Sequence, residues 1–531
     1  MNSFLELLRL EFSYNPLQDQ KLNILLSVIS SVLAFLCLYL IWALLIFLKR
    51  TLWMPLSVQR QLRSQGVRGL PYSFLYGNTK EMMSMIQSSM ITTSVDISHH
   101  IFPRIQPHIY AWSKLYGSNF FYWFGPQAQL VVNEPALIKE ILSNKEGVYG
   151  QKPVEGFVKK LLGDGLLSAE GEKWYKLRKL ANHSFHSENL KGMIPAMIFS
   201  TEIMLDGWKE KESQEIEVLY EFKKLTSDVI SRTAFGSSYQ NGQHIFDLLT
   251  KMTSIVQRNA FKIRLPGIEK FLKSEDDIES DLLDEGMKNL VAGMIKEREE
   301  ANDYGTDFFG SLVKAFHHED QDSRISLHDM VSQCKTFYLA GHETTSSLLT
   351  WTVLLLSIHP DWQERARDEV LDIFGTRNPT AEGIGKLKTL LMIINESLRL
   401  YAPVLVFQRQ TKRAVKLQNI TIPAEVDIII PPLALHTSPE IWGADVHLFK
   451  PERFAEGVAN ATGNNPVAFF PFSWGPRTCV GMSFAATEVK VALSMILRRY
   501  KLKLSPSYVH CPASLLTSYP ARGVQIMLQK L

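Results

Sequence analysis

The sequence predicts a mainly α-helical body with a minor β part, carried behind one membrane-spanning helix. Three observations lead there. Residues 22–48 read LNILLSVISSVLAFLCLYLIWALLIFL, 27 residues without a charge. As a helix this run rises roughly 40 Å, more than the ~30 Å of a hydrocarbon core. Apolar residues recur at helical spacing from Pro135 to about Lys314 and in several later segments. Only short runs, at 119–124, at 129–132 and within 406–430, carry the composition of strands.

Composition narrows the function classes. The 531 residues hold 57 Lys+Arg against 54 Asp+Glu, a net charge of +3, with 46% hydrophobic, 11% aromatic and 21% charged residues. Disordered and fibrous chains do not look like this, and nothing in the charge balance favours nucleic acid. The mean hydropathy of −0.04 averages an extreme N-terminus with an ordinary body. Four cysteines, Cys37, Cys334, Cys479 and Cys511, are too few and too scattered for a disulfide framework, and no CxxC pair suggests structural zinc.

The elements follow in chain order. The run 22–48 is too long for the apolar part of a signal peptide, and Lys49-Arg50 follows it in place of a small-residue cleavage site. Lys49, Arg50, Arg60, Arg63 and Arg68 lie after it, whereas Arg9 and Lys21 before it are offset by Glu6, Glu11 and Asp19. This bias puts residues 1–21 across the membrane as a short lumenal N-terminus and the bulk of the chain in the cytosol. There the sequons at Asn182, Asn395, Asn419 and Asn460 stay bare. Residues 49–71, with Pro55, Gly66, Gly69 and Pro71, form a basic connector expected to end the helix and redirect the chain along the membrane surface. The stretch 72–110, with Met82, Met83, Met85 and Ile86, reads as amphipathic or interfacial. Gly125-Pro126 separates the two strands that follow.

Helix then dominates, with breaks near residues 163–165, Gly236 and Pro266. Ser326-Leu-His-Asp329 is a capping-box pattern, expected to start a helix that runs to about Ser357 and stops at His359-Pro360. More helix follows to Phe374 and from about Gly385 to Tyr401, then short strands within 406–430. A Gly/Asn/Pro-rich loop at 457–466 precedes a loop–helix unit at 472–500. No repeat, low-complexity tract or linker divides 72–531, so one domain is expected there.

The most specific local pattern is Phe472-Ser-Trp-Gly475-Pro-Arg477-Thr-Cys479-Val-Gly481, just before a helix. Gly475 and Gly481 permit positive φ and close backbone approach, so amide N–H groups can point at the sulfur. Those amides and the helix dipole favour thiolate. A thiolate with no second Cys or His nearby suits one axial bond to haem iron better than zinc, the alternative being a buried structural cysteine.

With these residues the chain resembles the haem-thiolate monooxygenases, the cytochrome P450 family, over nearly its whole length. The stretches GVRGLPYSFLYGN (66–78) and LTSDVISRTAFG (225–236) look like the plant clan that oxidises isoprenoid hormones and terpenoids. The resemblance implies the cytochrome P450 fold behind one transmembrane helix, with Cys479 as axial ligand of haem b and Phe472, Gly475 and Gly481 shaping its loop.

Three more patterns extend the resemblance. Glu396-Ser-Leu-Arg399 puts an acid and a base on one helical face, a spacing that alone mostly marks surface pairs. With Pro451-Glu-Arg453-Phe454 it resembles the family's buried Glu–Arg–Arg network behind the cysteine loop. Ala340-Gly341-His342-Glu343-Thr344-Thr345 sits inside the long helix, where Gly costs about 1 kcal/mol against Ala. Small residues there admit a flat ligand, a threonine hydroxyl can open the local ladder, and a carboxylate can feed protons, the alternative being a packing glycine among ordinary helix polar residues. By resemblance Ala340 and Gly341 lie over the haem, Thr344 is the dioxygen-side hydroxyl and Glu343 its acid, while His342 fills a variable position. Trp174-Tyr-Lys-Leu-Arg178 places an indole N–H and a guanidinium at i, i+4, and with Arg409 and Arg477 it matches the family's partners for the haem propionates.

The implied reaction is insertion of one oxygen atom from O2 into a small hydrophobic substrate. Substrate contacts are expected from 148–167, the helix near Ala340, 402–406 and 515–517. The chain carries no flavin or nicotinamide fingerprint: Gly163-Asp-Gly165 is half of GxGxxG, with Ser168 where the third glycine belongs. The resemblance therefore implies NADPH acting through a membrane-bound flavoprotein reductase in the endoplasmic reticulum. Lys173, Lys176, Lys179, Lys490, Arg498 and Arg499 are candidates for its docking face, a solvated lysine-rich helix face being the other reading. Two rival functions stay open: hydroperoxide rearrangement without reductase, and a membrane-anchored haem-binding protein without turnover.

Overall fold

The computed structural model describes residues 16–91, 97–211, 214–236, 239–259, 273–321 and 324–531. Most of the N-terminal segment 1–21 and the expected break at Pro266 lie outside these.

The anchor helix spans Pro16–Leu48, and its side chains from Gln20 onward are almost all exposed. The connector does not end it, which corrects the expectation. A π-helical turn at Lys49–Trp53 leads straight into the helix Met54–Ser64. Pro55 has no N–H for the carbonyl four residues earlier, that of Thr51. The chain widens to an i→i−5 bond from Met54 N–H to Lys49 O, and the Tyr72 hydroxyl donates to the Thr51 carbonyl instead. Helix Met54–Ser64 buries Pro55 and Leu62 on the body, and the Gln65 amide exchanges bonds of 2.9 Å and 2.6 Å with the backbone of Thr421. Anchor and body are joined by continuous helix.

The expected strands form, at Phe120–Phe124 and Gln127–Val131, and pair antiparallel across Gly125-Pro126 with Phe121 opposite Leu130. They sit in a six-stranded sheet ordered Arg68–Gly69, Phe120–Phe124, Gln127–Val131, Asp427–Ile430, Phe407–Thr411, Tyr149–Gly150. A three-stranded sheet of Tyr500–Leu504, Gln525–Lys530 and Glu215–Glu217 is absent from the sequence reading. Glu215–Glu217 lies in a stretch read as helical; its three residues are held by pairing with strand 525–530, far off in sequence.

The central helix, Leu327–Ile358, begins on the expected capping box of Ser326 and Asp329 and ends at His359 before Pro360. It is buried nearly all round because it runs through the core, against the helices Val218–Ala234, Lys388–Leu400 and Met482–Arg499. The stretch read as one helix from Gly385 to Tyr401 is two, Ala381–Lys386 and Lys388–Leu400. The second starts where the Glu369 carboxylate accepts the N–H groups of Lys388, Thr389 and Leu390 at 2.8, 2.6 and 3.0 Å. The 457–466 loop contains a short helix, Gly457–Ala461.

Candidate active site

The cysteine loop is closed by its own backbone. Cys479 N–H donates to Phe472 O at 2.9 Å and Thr478 N–H to Gly475 O at 3.0 Å. Gly475 has φ +76°, and a Cβ there would stand 2.3 Å from the Leu142 carbonyl oxygen, so only glycine fits. The second left-handed residue is Ser473, at φ +65°, and not Gly481, whose φ of −90° is open to any residue. Gly481 instead aims its N–H at the Cys479 sulfur. Phe472 is half-buried against the main core. The thiol is enclosed by protein yet its surface is open, so it faces an internal space. Burial pushes it up, while the Gly481 N–H and the Arg178 charge pull it down.

On the central helix the residues from Met330 to Leu339 and from Thr345 to Leu356 are buried, whereas Ala340 is exposed and Gly341, Glu343 and Thr344 are half-exposed. An opening therefore breaks the core at the expected tetrad. Gly341 is in close packing, the alternative weighed for it. A Cβ on it would meet Ile230 Cδ1 at 2.9 Å, so its missing side chain seats the neighbouring helix, and Ala340 provides the open surface. The Thr344 hydroxyl donates to Ala340 O at 2.7 Å. Glu343 pairs with Lys223 at 3.1 Å. His342 is buried, its Nδ1 3.1 Å from the Thr226 hydroxyl, and burial holds it down at about 4, so it is neutral at pH 7. A cavity of about 460 Å³ reaches Glu343 from between Lys223, Phe246 and residues 515–517.

Near the cysteine three guanidiniums gather. Arg178 donates to Thr478 O and Arg477 to Ala169 O, each at 2.7 Å, and Arg409 to Gln408 O at 2.8 Å. Arg477 lies 4.7 Å from the centre of the Trp174 ring, so the indole lies against this cation. Burial pushes Arg409 and Arg477 down to about 10, helped by the charge of Arg477 on the first and of Arg178 on the second and opposed on both by Glu170. Among the described residues none of the three forms an ion pair; the nearby Glu170 is paired with Lys412 at 3.0 Å. Three cations without an ion-pair partner among the described residues, one buried and two half-buried beside an enclosed thiol, are the chemistry a flat dianionic metallocycle fits, and Trp174, Arg178, Arg409 and Arg477 could hold its carboxylates.

Behind the loop, Glu396 and Arg399 are fully buried and joined by two bonds of 2.7 Å. Glu396 also accepts Lys450 N–H at 2.9 Å and has Arg453 Nε at 3.6 Å. Arg453 donates to Trp442 O at 2.8 Å and Asp445 at 2.7 Å, and Arg399 to His436 O at 2.9 Å. His436 in turn accepts Phe470 N–H at 3.2 Å, two residues before the loop. The sequence does not single out His436, Asp445, Lys450 or Lys223: His436 and Lys223 act on partners distant in sequence, and the Asp445–Lys450 and Asp445–Arg453 pairs lie at spacings of five and eight with no regular helix to align them.

The basic face is mostly engaged elsewhere. Lys173 bridges Asp164 and Asp329 at 2.8 and 2.7 Å, Lys490 is buried and donates to Ile384 O, and Lys176 and Arg498 donate to the Arg324 and Arg377 carbonyls. Of the six, Lys179 alone is fully exposed.

Residues 99–517 match the family Cytochrome P450. Over 507 residues the chain is 51% identical to Cytochrome P450 CYP749A22 of Panax ginseng, covering 94% of this chain and 97% of that one. It is 39% identical to Cytochrome P450 734A1 of Arabidopsis thaliana over 523 residues, 96% of each. It is 40% identical to 11-oxo-beta-amyrin 30-oxidase of Glycyrrhiza uralensis over 503 residues, 91% of this chain and 94% of that one. With an apolar anchor helix, a mainly helical body and an enclosed cysteine facing an opened central helix, the chain belongs to the cytochrome P450 family, in its plant clan, and is a monooxygenase, an oxidoreductase.

Proposed function

We propose that the chain binds haem b through Cys479 and hydroxylates or otherwise oxidises a small fused-ring isoprenoid. The observation that carries this is the enclosed Cys479, open only to an internal space beside three guanidiniums that form no ion pair among the described residues. Arg178, Arg409 and Arg477 neutralise the two haem carboxylates, with Trp174 packed against Arg477. Glu396, Arg399 and Arg453 keep the loop in place and take no part in the reaction. The haem, when bound, supplies dioxygen binding and O–O cleavage.

The chain's own task is proton supply and orientation. Glu343 lies 3.1 Å from Lys223 at the edge of the 460 Å³ cavity, where water can reach it and pass protons through it. The Thr344 hydroxyl, bonded to Ala340 O, accepts a proton from that side and turns to donate into the opening. Residues 515–517 at the same cavity are candidate substrate contacts, and the relative named an 11-oxo-beta-amyrin 30-oxidase supports a rigid apolar frame as substrate class. Electrons come from NADPH through a flavoprotein reductase. We assign residues 22–48 as the span, 1–21 to the lumen, 49–71 as the joining segment and 72–531 as the catalytic domain on the cytosolic face of the endoplasmic reticulum.

The reduced, CO-bound protein is expected to show the red-shifted Soret band of a thiolate-ligated carbonyl, lost in Cys479→Ala; an unshifted band in the parent refutes the assignment. Microsomes with reductase and NADPH should convert fused-ring isoprenoids to products 16 mass units heavier. Glycan on the exposed Asn182, Asn419 or Asn460 would overturn the topology.

A further inference from the structure

The short helix Gly156–Leu162 and the turn after it lie on the central helix just N-terminal to its opening. Ser332, Thr336, Ala340 and Thr344 are four residues apart and share one helical face. The first two are buried under the turn; the last two face the opening, so the turn ends roughly 6 Å from it along the axis. The contact is very close. A Cβ on Gly163 would meet Ser332 Cα at 2.8 Å, and one on Gly165 would meet Thr336 Oγ1 at 2.5 Å. This is why 163–165 carries two glycines.

The grip is polar, and it falls on the end of the short helix. The last carbonyls of a helix have no partner within it. Lys335 Nζ donates to Lys160 O at 2.7 Å and Thr336 Oγ1 to Leu162 O at 3.1 Å, both from the central helix. Asp164 N–H donates to Ser332 Oγ at 3.1 Å. On its other side Lys160 reaches Ser280 at 2.8 Å and Asp281 at 2.6 Å on the helix Glu275–Glu300, whose Asp284 also pairs with Lys335. Lys335 is 4% exposed. Burying an ammonium there gains little stability over an apolar side chain, so its contribution is to position what it binds.

Resting on the haem reading above, we propose that Lys335 and Thr336 are positioning residues that latch helix Gly156–Leu162 as a wall of the oxidation cavity and so set which substrates enter and how fast. The ammonium caps the negative end of the short helix and fixes it to the two helices that flank it. Release of the latch frees the wall while Ala340, Thr344 and Cys479 stay in place. Large ligands then exchange faster, and ligands small enough to pass the closed wall do not.

The test uses the full-length, haem-loaded protein with two azole probes, clotrimazole as the bulky one and imidazole as the small one. Loss of one charge-assisted hydrogen bond, worth about 1.5–3 kcal/mol, predicts that Lys335→Met raises clotrimazole association and dissociation by tenfold or more. Imidazole rates and the CO band stay unchanged. Amide exchange across 156–165 rises in parallel. Thr336→Val gives a smaller rise and serves as the decisive variant if Lys335→Met does not fold. Thr352→Val, whose hydroxyl bonds Leu348 O on the same helix, leaves every rate at the parent's value. Parental clotrimazole rates and exchange in a folded Lys335→Met, or in Thr336→Val where that variant decides, overturn the latch. A parent without the thiolate-carbonyl band refutes the haem reading instead, and the exchange measurement, which needs no haem, still decides the latch.

Discussion

Acidification from pH 7.5 to 5.5 should remove much of the stability of the fold through five histidines. His99, His108, His342, His436 and His510 are each under a tenth exposed. Burial holds His99 and His436 at about 3 and the other three at about 4. In the unfolded chain each titrates near 6.5. The folded value is the lower one, so as pH falls the unfolded chain takes up protons first. The stability these groups contribute is complete above 6.5 and is lost as pH falls from there toward 4 and 3. One unit below 6.5 each histidine has lost about 1.4 kcal/mol, whether its folded value is 3 or 4. Five such groups sum to ~7 kcal/mol, against a usual total of about 5–15 kcal/mol. Glu488 acts the other way: burial raises its carboxyl, so its stability is present at low pH and lost as pH rises, and acidification recovers part of the loss. The site feels the change through His436, since a protonated ring cannot accept the Phe470 N–H that leads into the cysteine loop. The assay is chemical denaturation of the full chain at pH 7.5, 6.5 and 5.5 at constant ionic strength, with Glu488→Gln alongside. The expected loss falls mostly below pH 6.5. Stability constant to within about 1 kcal/mol over this range would refute the argument, because five buried neutral rings cannot be indifferent to a proton.

Arg399→Met strands the fully buried Glu396 and should cost about 3–5 kcal/mol in denaturant midpoint, with haem loading falling too. Adding Glu396→Leu should restore stability without restoring the CO band, since the pair's task is to place the loop. Arg409→Met removes an unpaired buried cation, so it should stabilise the haem-free protein and destabilise the loaded one; thermal midpoints that move in the same direction in both forms would contradict the anion-site reading. Tyr72→Phe leaves the Thr51 carbonyl without a donor beside Pro55, a loss of about 1–3 kcal/mol that should speed tryptic cleavage at Arg50 in membranes.

Features whose cause lies within a few residues were legible in the sequence. The anchor needs only an uncharged run, and the start of the central helix needs only Ser326 and Asp329. The hairpin at Gly125-Pro126 needs only its turn. The cysteine loop was legible because its closing bonds, Cys479 to Phe472 and Thr478 to Gly475, are internal to it. What escaped depends on distant partners. Nothing near Leu387 says that Glu369 will cap a helix there, and nothing near Pro55 says that Tyr72 will replace the missing N–H and carry the helix on.

The glycines make the same point in sharper form, because a missing side chain says that something comes close without saying what. Gly341 reads as room for a flat ligand or as a packing glycine, and a Cβ there would meet Ile230. Gly163 and Gly165 read as a break between helices and as too little for a nucleotide loop; a Cβ on either would meet Ser332 or Thr336. In both cases the neighbour is another helix, so these glycines set how closely the central helix is held before its opening, at Ser332 and Thr336, and within it, at Gly341. Glu343 and Thr344 follow just after the second contact. Packing at residues outside the proposed chemistry therefore bears on where Glu343 and Thr344 stand, and a substitution at Gly163 or Gly341 should displace these two side chains while leaving both present.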